Sequence, residues 1–361
     1  MMEWPIVSII IATYNSEKLL SRTLDAIKKQ SYPKEKIEIL VIDGGSKDDT
    51  IHIAEQYGCR ILFNNKTEPI NAKLIGARSA TGKYLITIDH DEVIENEKSI
   101  ELKVRAMQKF PECKVALCSG YKCPSNYPKL NQYISEFGDP FSLFMYNFPK
   151  GDGFLERTLK KHYIVTDENK DYMIISFERM KKQPIFELCC LGTMIDREYF
   201  TEIDGAFENG NKMVHLFYIM LEQGNKKVVF VKNDPLVHYS VDSLKAYFPK
   251  LKWRICNNIH FKEMGNSGFN GRVQYQNKLK YKTLLFIPYT ISCIAPIAHS
   301  LFLTITRKNI IYMMHFAFSW YVLGEIVYQY CLKLLHKTPA FTSYDGEKRI
   351  HLGEGMNGKE I

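Results

Sequence analysis

The sequence predicts an α/β protein with a doubly wound, mostly parallel sheet, helices on both faces and two C-terminal transmembrane helices. Two observations support this prediction. In the first ninety residues, short apolar runs alternate four times with stretches of helical periodicity, which is the pattern of a parallel sheet wound by helices. In the C-terminal third, two long stretches with almost no charged residue follow one another closely, and each is long enough to cross a bilayer.

Four apolar runs give the predicted strands. Isoleucine, leucine and valine dominate them. Runs that are apolar on both faces fit strands buried inside a parallel sheet, where both faces are covered. The runs occupy residues 7–12, 37–42, 59–63 and 84–88.

Helices are predicted between the runs. Leu20, Leu24 and Ile27 are spaced four and then three residues apart, as along the buried stripe of an amphipathic helix. Residues 46–49, with the sequence Ser-Lys-Asp-Asp, have the form of a capping box that opens the next helix. A third helix is expected from about residue 70 to residue 80.

The C-terminal third contains two candidate membrane helices. Residues 283–305 include no charged side chain, and a helix of this length spans roughly 35 Å, more than a bilayer core of about 30 Å. The second stretch, 309–332, is interrupted only by Glu325, and a charge inside a bilayer must lie near a helix end, pair or be protonated. The short connection predicts a transmembrane hairpin over 283–332, with a pair of buried core helices as the alternative.

Basic residues predict the orientation of this hairpin. Five lysines flank it and two basic residues lie in its turn, so the positive-inside rule places the flanks and the large N-terminal domain in the cytoplasm. The N-terminus has no basic region followed by an apolar run, and nine cysteines without a C-x-x-C fit a reducing compartment. A multi-pass protein of the cell membrane is therefore expected. The flanking residues are Lys278, Lys280, Lys282, Lys333 and Lys337, and the turn residues are Arg307 and Lys308.

The overall charge agrees with a membrane location. A formal net charge of +8 suits a protein that lies against an anionic membrane face. No basic cluster interleaved with aromatic residues is present in the sequence, so nucleic acid is not predicted as a partner. Residues 251–282 are interpreted as a juxtamembrane segment, and residues 333–361 as a polar, loosely ordered tail.

Polar residues follow three of the predicted strands at the point where each strand ends. These segments are 13–15 (Thr-Tyr-Asn), 43–46 (Asp-Gly-Gly-Ser) and 89–92 (Asp-His-Asp-Glu). In open parallel sheets ligands bind beyond the carboxyl ends of the strands, so the three segments are expected to converge on one crevice. An aromatic ring there can stack on a nucleobase, and an isolated carboxylate can accept the ring N–H of the base.

Asp89 and Asp91 are the predicted metal ligands. Two carboxylates two residues apart lie on the same side of an extended segment. They offer hard oxygen ligands to Mg²⁺ or Mn²⁺, which can hold a diphosphate and neutralise its charge as it leaves. The sequence contains no G-x-x-x-x-G-K-[ST], and no G-x-G-x-x-G follows the first strand. This argues against a P-loop NTPase and against a dinucleotide-binding oxidoreductase.

These segments closely resemble the family 2 glycosyltransferases of the GT-A fold. Residues 7–17, 41–50 and 82–91 carry the resemblance, which covers about residues 5–245. A glycosyltransferase domain is accordingly predicted over residues 1–250. The resemblance implies a nucleotide-sugar donor, a UDP- or GDP-sugar, and inversion at the anomeric carbon.

The resemblance also implies roles for individual residues. Lys73 matches a place usually held by an arginine that faces the donor phosphates, and lysine keeps the charge but loses the bidentate fork. His238 follows a late strand, where related enzymes often place a histidine near the diphosphate. It is predicted to contact metal or phosphate, with a structural role at the sheet edge as the alternative. The implied donor-binding residues are Ala12, Thr13, Tyr14, Asp43, Lys73 and Asp89, and the implied metal ligands are Asp89, Asp91 and His238.

The acceptor side departs from the family pattern. Family members usually carry a Glu-Asp pair whose aspartate serves as the base for the acceptor hydroxyl. Here the matching residues are Lys212 and Met213, and methionine cannot take a proton. Three nearby side chains are the substitute candidates, and the histidine is equally compatible with a packed helix face. They are His215, Asp204 and Glu208.

Three functions follow from these observations. The leading hypothesis is transfer of a single sugar, at the cytoplasmic membrane face, to a lipid-linked or cell-surface glycan acceptor. A polyprenyl-phosphate glycosyltransferase is the first alternative, because an ionised phosphate acceptor needs no base. The second alternative is a donor-binding scaffold without turnover.

Overall fold

The computed structural model describes residues 4–203, 205–261 and 268–340. These residues fold into two compact units. The sheet unit comprises Met1–Lys122 and Lys150–His238, and the helical unit comprises Cys123–Pro149 and Tyr239–Ile361.

All described strands lie in the sheet unit. The strands are β1 Val7–Thr13, β2 Ile37–Asp43, β3 Arg60–Phe63, β4 Tyr84–Asp89, β5 Glu92–Ile94, β6 Val115–Leu117, β7 Gly120–Lys122, β8 Ile164–Glu168, β9 Tyr172–Ser176, β10 Met194–Asp196, β11 Lys227–Val231 and β12 Pro235–His238.

Helices are found in both units. They are α1 Glu17–Lys28, α2 Thr50–Gln56, α3 Pro69–Ser79, α4 Ser99–Lys109, α5 Leu130–Phe137, α6 Pro140–Tyr146, α7 Phe154–His162, α8 Arg197–Glu202, α9 Gly210–Val214, α10 Leu216–Glu222, α11 Leu244–His260, α12 Phe269–Val273, α13 Asn277–Lys282, α14 Phe286–Ile291, α15 Ile294–Arg307 and α16 Met314–Leu334. Short 3-10 turns occur at Lys34–Lys36, Thr283–Leu285 and Ile310–Met313.

The main sheet has the strand order β3-β2-β1-β4-β10-β6-β11-β9-β8. The four strands predicted from the sequence pair in parallel, with β1 at the centre between β2 and β4. Strand β10 is antiparallel to both of its neighbours, β4 and β6. The α/β class is confirmed, and the predicted strand bounds agree with the structure to within a residue.

Burial explains why the first strands are so apolar. Ile9, Ile10 and Ile11 of β1 are fully buried, as expected for a strand covered on both faces. The stripe Leu20, Leu24 and Ile27 on α1 is also buried, so its helical spacing did identify the packed face. In the parallel register Ala12 pairs with Asp89 and Thr13 pairs with Asp43, which aligns the carboxyl ends of three strands.

A second, three-stranded sheet has the order β5-β12-β7. Strand β12 is antiparallel to β5 and parallel to β7. Because β5 begins three residues after β4 ends, this small sheet starts directly beyond the carboxyl end of the main one. It therefore brings late residues of the chain to the Asp89–Asp91 segment.

The helical unit differs from the predicted division of the chain at residue 250. Residues 123–149 and the chain from residue 239 onward join the C-terminal helices instead. The physical reason is a shared apolar cluster to which α5, α11 and α16 contribute, respectively, Tyr133, Tyr247 and Phe318 among other buried side chains.

The predicted membrane hairpin has a different shape in the structure. Within the described residues, one helical stretch, Ile310–Leu334, is long and apolar enough to cross a membrane. The first predicted helix is instead two helices, Leu279–Ile291 and Ile294–Arg307, bent by 90°. The chain turns at Cys293, whose φ of 57° cannot continue a right-handed helix. Glu325 accepts a hydrogen bond from Gln329, and residues 341–361 of the predicted tail lie outside the described residues.

Candidate functional site

The loops that follow β1 and β2 are joined by hydrogen bonds in both directions. The N–H of Asn15 donates to Ser46 Oγ at 2.8 Å, and the N–H of Lys47 donates to Asn15 Oδ1 at 3.0 Å. Asn15 has a left-handed φ of 47°, which asparagine tolerates better than most residues. The two loops therefore form one continuous edge, and the half-buried Tyr14 lies on it.

Asp43, at the end of β2, is buried and extensively hydrogen-bonded. One carboxylate oxygen accepts the hydroxyls of Thr13 and Ser46, and the other accepts the N–H groups of Gly45 and Ser46, both at 2.8 Å. A carboxylate has about four acceptor positions, and these contacts fill them. Asp43 thus shapes the loop, and the predicted contact of its oxygens with a nucleobase is not available in this arrangement. The capping box predicted at residues 46–49 does not form, because α2 begins at Thr50 and the N–H of Asp49 donates to the Glu17 carboxylate instead of to Ser46.

Asp89, at the end of β4, forms an ion pair with a buried lysine of α3. Lys73 Nζ lies 2.9 Å from Asp89 Oδ1 and 3.6 Å from Cys190 Sγ. The Lys73 side chain is 1% exposed, whereas that of Asp89 is 34% exposed. Burial alone lowers the pKa of a lysine, but the Asp89 carboxylate outweighs it, and the pKa of Lys73 is raised well above its usual range. Lys73 is therefore a cation whose charge is held at the exposed end of β4.

Asp91 faces a histidine that comes from the small sheet. His238 Nε2 lies 3.7 Å from Asp91 Oδ2. The imidazole stacks on the ring of Tyr121, with the ring centroids 4.8 Å apart and the planes inclined by 30°. The strand pairing explains this proximity, since β12 pairs His238 with Glu92, the residue after Asp91. The structure thus brings together His238 and Asp91, as the resemblance implies.

Glu92 is a buried carboxyl that connects the two parts of the site. It accepts the hydroxyl of Tyr121 at 2.7 Å and the N–H of Asp89 at 3.0 Å. Burial, followed by the nearby Asp89 carboxylate, raises the pKa of Glu92 well above its usual range, although Lys73 opposes this effect. Burial, followed by Glu92, likewise raises the pKa of the Tyr121 hydroxyl. These two residues hold the segment around Asp89 and Asp91 in place.

Asp89 and Asp91 are partly accessible carboxylates that form an open donor set. Within the described residues, no group of three His, Cys, Asp or Glu side chains is arranged to hold a metal ion, so Asp89, Asp91 and His238 do not form a three-residue site here. Asp89 and Asp91 each keep part of the side chain accessible. Mg²⁺ usually binds through one or two carboxylates, with waters and substrate phosphates completing its shell. Two carboxylates at an open edge have the donor chemistry that such an ion requires.

The three predicted base candidates have different surroundings. His215 is buried, and its Nδ1 hydrogen-bonds to the carbonyl of Asn211 at 2.7 Å, which fits a packed helix residue. Glu208 is exposed, and its carbonyl accepts a hydrogen bond from Arg78 of α3, the helix that also carries Lys73. Asp204 lies outside the described residues.

Comparison with known proteins places the chain in a family. The family model described as glycosyl transferase family 2 matches residues 8–202, which is more than half of the chain. The chain belongs to glycosyltransferase family 2. The resemblance seen in the strand-end motifs is thereby confirmed at the level of the family.

Two family relatives illustrate the range of similarity. The poly(ribitol-phosphate) beta-N-acetylglucosaminyltransferase TarS of Staphylococcus aureus is 32% identical over 96 residues, which cover 25% of this chain and 17% of TarS. The glycosyltransferase GlyG of Streptococcus pneumoniae is 26% identical over 245 residues, covering 65% of this chain and 70% of GlyG. The TarS match thus spans less than a fifth of that relative.

A solved structure of similar fold supports the GT-A architecture. The mannosyltransferase PcManGT of Pyrobaculum calidifontis, solved in complex with GDP-Man and Mn²⁺, aligns with a TM-score of 0.51. The alignment covers 91% of this chain and 88% of that protein, at 15% identity. At this identity the likeness concerns the fold, which is α/β and GT-A-like in both.

Three residues of this site were given no role in the sequence-based prediction: Glu92, Tyr121 and Cys190. Glu92 directly follows Asp91, so its position was a usable signal. Tyr121 and Cys190 reach the site through pairing of distant strands and through the loop before β10, and no local pattern in the sequence indicates this. The prediction was therefore most complete for residues at the ends of β1, β2 and β4.

Proposed function

We propose that this chain is a metal-dependent, inverting glycosyltransferase that moves a sugar from a nucleotide-diphosphate donor to a membrane-proximal acceptor. One observation carries the proposal. A buried cation, Lys73, pairs with the partly exposed Asp89 at the carboxyl end of a parallel strand, two residues before Asp91, in a chain of family 2. A cation beside two accessible carboxylates suits a ligand that is both a phosphate ester and a metal chelate.

Asp89 and Asp91 are the proposed ligands of Mg²⁺ or Mn²⁺, and His238 supports Asp91 from 3.7 Å away. When bound, the ion would supply positive charge to the diphosphate that leaves the sugar. Two carboxylates alone leave most of the coordination shell to water and to the donor phosphates, so we expect metal and donor to bind with positive cooperativity.

Lys73 is the proposed contact for the donor phosphates. Its charge is maintained because Asp89 raises the pKa of the buried ammonium, so the group stays protonated across the physiological pH range. Tyr14 and the backbone around Ala12 and Thr13 are the proposed walls for the nucleoside. Asp43 contributes by fixing the loop after β2, since its carboxylate oxygens are already hydrogen-bonded within the protein.

The proposed acceptor chemistry depends on the base. Met213 is fully buried and cannot accept a proton, and His215 is buried as well. Glu208 is exposed, so among the described candidates it is the carboxylate that we propose as the base. The same observation at Met213 favours one alternative, a polyprenyl-phosphate acceptor, whose oxygen is already ionised and needs no base.

A membrane location is the final part of the proposal. The stretch Ile310–Leu334 is apolar enough to contact lipid, and basic residues stand at both ends of the C-terminal apolar region. A lipid-linked or cell-envelope glycan acceptor would then be presented at the same surface as the protein. The cytoplasmic side of the sheet unit stays a sequence-based prediction, as does the multi-pass topology, which side-specific labelling of the turn residue Lys308 would test.

Nucleoside diphosphate release tests this proposal. The full-length protein, in membranes with native lipids, is given a panel of UDP- and GDP-sugars with Mn²⁺ or Mg²⁺. We expect release with one donor, reduced at least a hundredfold by Asp91→Asn and unchanged by Asp167→Asn, an exposed acid on β8. Turnover that is insensitive to Glu208→Gln and to Asp204→Asn would favour the phosphate acceptor. Metal-dependent nucleotide binding without turnover would contradict the enzymatic proposal and favour a scaffold.

A further inference from the structure

The helical unit exposes an unusually large apolar surface. Of the twenty-three large hydrophobic side chains that are exposed in the described residues, eighteen lie between Tyr281 and Leu335. Soluble surfaces rarely concentrate apolar side chains in this way unless they bind a partner or a membrane. The arrangement of these eighteen residues indicates how they contact a membrane.

Four exposed apolar residues along α16 and the turn before it form a stripe. Met313, Trp320, Val327 and Leu334 follow one another at intervals of seven residues, which is close to two helical turns, and all four are exposed. The opposite face contains Phe318, which is fully buried. The helix therefore presents one apolar face outward, whereas a helix surrounded by lipid would be apolar and accessible all round.

The covered face of α16 lies against α11 along most of its length. The rings of Phe248 and Tyr321 are 4.5 Å apart, and near the other end Lys333 Nζ donates to the carbonyl of Ile259 at 2.9 Å. Helix α11 carries exposed lysines at positions 245 and 252, which would cost several kcal/mol each inside a bilayer. A helix accompanied by such a partner cannot cross the hydrocarbon core and must lie along its surface.

The turn between the two apolar segments is fixed to polar residues of α5. The guanidinium of Arg307 bonds to the buried Glu136 carboxylate at 2.7 Å, and Asn309 Nδ2 donates to Gln132 Oε1 at 2.6 Å. Helix α5 is preceded by seven residues of irregular chain, 123–129, and irregular backbone is not tolerated when exposed to hydrocarbon. The turn therefore stays at the aqueous side rather than at the far side of a bilayer.

The other end of the bent segment is fixed in the same region. Lys282 Nζ donates to the carbonyl of Met145, in α6, at 2.7 Å. Between these two anchors, the arms Leu279–Ile291 and Ile294–Arg307 are each roughly 20 Å long, shorter than a hydrocarbon core of about 30 Å. With a 90° bend, both arms can lie shallowly, and their exposed isoleucines at 287, 291, 294 and 297 can enter the same lipid layer.

We infer that the helical unit docks into one leaflet of an anionic phospholipid bilayer and does not cross it. Charge complementarity supports this partner. Between residues 279 and 337, Glu325 is the only acidic residue, and basic residues stand at both ends and at the turn. The hairpin predicted from the sequence separates the turn from the ends by a bilayer, whereas single-leaflet docking places every one of these cations at the same headgroup layer. This inference rests on the membrane association proposed above but is independent of sugar transfer.

Side-specific amine labelling tests the inference on the unaltered full-length chain. Sealed vesicles of known orientation, from expressing cells, are treated with a membrane-impermeant amine reagent, and modified lysines are identified by peptide mass spectrometry. We expect Lys308, in the turn, to be modified from the same side of the membrane as Lys245 of α11. The ratio of the Lys308 labelling yield to the Lys245 labelling yield should change less than twofold when the vesicles are permeabilised. Both lysines are exposed in the structure.

Modification of Lys308 only after permeabilisation, or only from the opposite side, would establish a crossing hairpin and overturn the inference. Failure of the full-length protein to co-float with vesicles containing phosphatidylglycerol would overturn it as well. Neither result would change nucleoside diphosphate release in detergent, so failure of the docking inference is distinguishable from failure of the proposed enzymatic activity.

Discussion

Lys73 Nζ lies 2.9 Å from Asp89 Oδ1, and this contact joins an almost completely buried ammonium to a carboxylate that is one-third exposed. This difference in exposure means that the two side chains are not equally free to move. The carboxylate can turn toward an incoming cation without losing solvation, while the lysine cannot leave its place in α3. If Asp89 bound the proposed metal ion, the charge of Lys73 would be available to a phosphate of the donor.

Replacement of Lys73 by methionine is expected to separate donor binding from folding. Methionine fills a similar volume without charge, so Asp89 loses its partner. Because Asp89 can rehydrate, we expect a stability loss of about 1–2 kcal/mol, below the 3–5 kcal/mol typical when a fully buried pair is broken. Urea denaturation measures this loss, and the nucleotide-induced rise in melting temperature should disappear. Lys161→Met, an exposed position on α7, is the matched control. Retained nucleotide stabilisation in Lys73→Met would contradict the phosphate role.

Asp43 shows how much of this site could be predicted from the sequence. Strand-end position alone identified Asp43, and it lies where predicted, yet its oxygens are occupied by loop donors that include the Ser46 hydroxyl. Local sequence patterns indicate which residues reach the edge of a sheet. Whether a side chain faces the ligand or the loop is decided by hydrogen bonds between segments, which periodicity does not contain.

In the C-terminal part, too, the sequence pattern predicted some features, and tertiary contacts decided others. Apolar composition correctly identified a helical region. One stretch of it, Ile310–Leu334, is long and apolar enough to cross a membrane. The chain bends at the local backbone of Cys293, and the ion pair between Arg307 and Glu136 joins segments 171 residues apart. A hydropathy pattern reports length and polarity but not these contacts, and so it could not distinguish a hairpin from a bent, surface-lying segment.

Removal of the Tyr121 hydroxyl is expected to weaken metal-dependent turnover without removing a ligand. Tyr121→Phe keeps the ring that stacks on His238 but deletes the hydrogen bond to the buried Glu92. Loss of a partner for a buried polar group costs about 1–3 kcal/mol. We expect a lower unfolding free energy and a several-fold higher metal concentration for half-maximal nucleoside diphosphate release. Tyr281→Phe, an exposed tyrosine, should change neither quantity. An unaltered metal titration would show that Glu92 does not position Asp89.

The stability of the sheet unit should depend on pH through Glu38. Burial acts to raise the pKa of this β2 carboxyl, but hydrogen bonds from the Ser8 hydroxyl and the N–H of Thr81, with the charge of Arg60, lower it overall. A lowered folded pKa gives stability that is complete above the unfolded pKa and is lost as pH falls through the folded value.

The test compares wild type with Glu38→Gln by urea denaturation between pH 3 and pH 7. We expect the substitution to cost about 1–2 kcal/mol at pH 7, because charge-assisted hydrogen bonds are lost, and to cost progressively less as the medium becomes acidic. The exposed Glu198→Gln on α8 serves as the control and should show no such trend. A cost that is constant with pH would mean that the ionised form of Glu38 is not the species that folding favours.

Membrane binding should respond to charge on the exposed stripe of α16. Val327 is half exposed and lies at the centre of that stripe, so Val327→Lys places an ammonium where the inferred docking requires lipid contact. Lysine can extend its charge to the headgroups, which limits the penalty, and we expect binding to phosphatidylglycerol vesicles to weaken about tenfold, or about 1.4 kcal/mol. Ile164→Lys, on an exposed position of β8 in the sheet unit, adds the same charge at a residue that is not part of the stripe and should strengthen or preserve binding. Co-flotation across a series of lipid concentrations measures both variants. Equal binding by the two variants would show that the α16 stripe does not enter the lipid, because net charge alone would then account for the affinity.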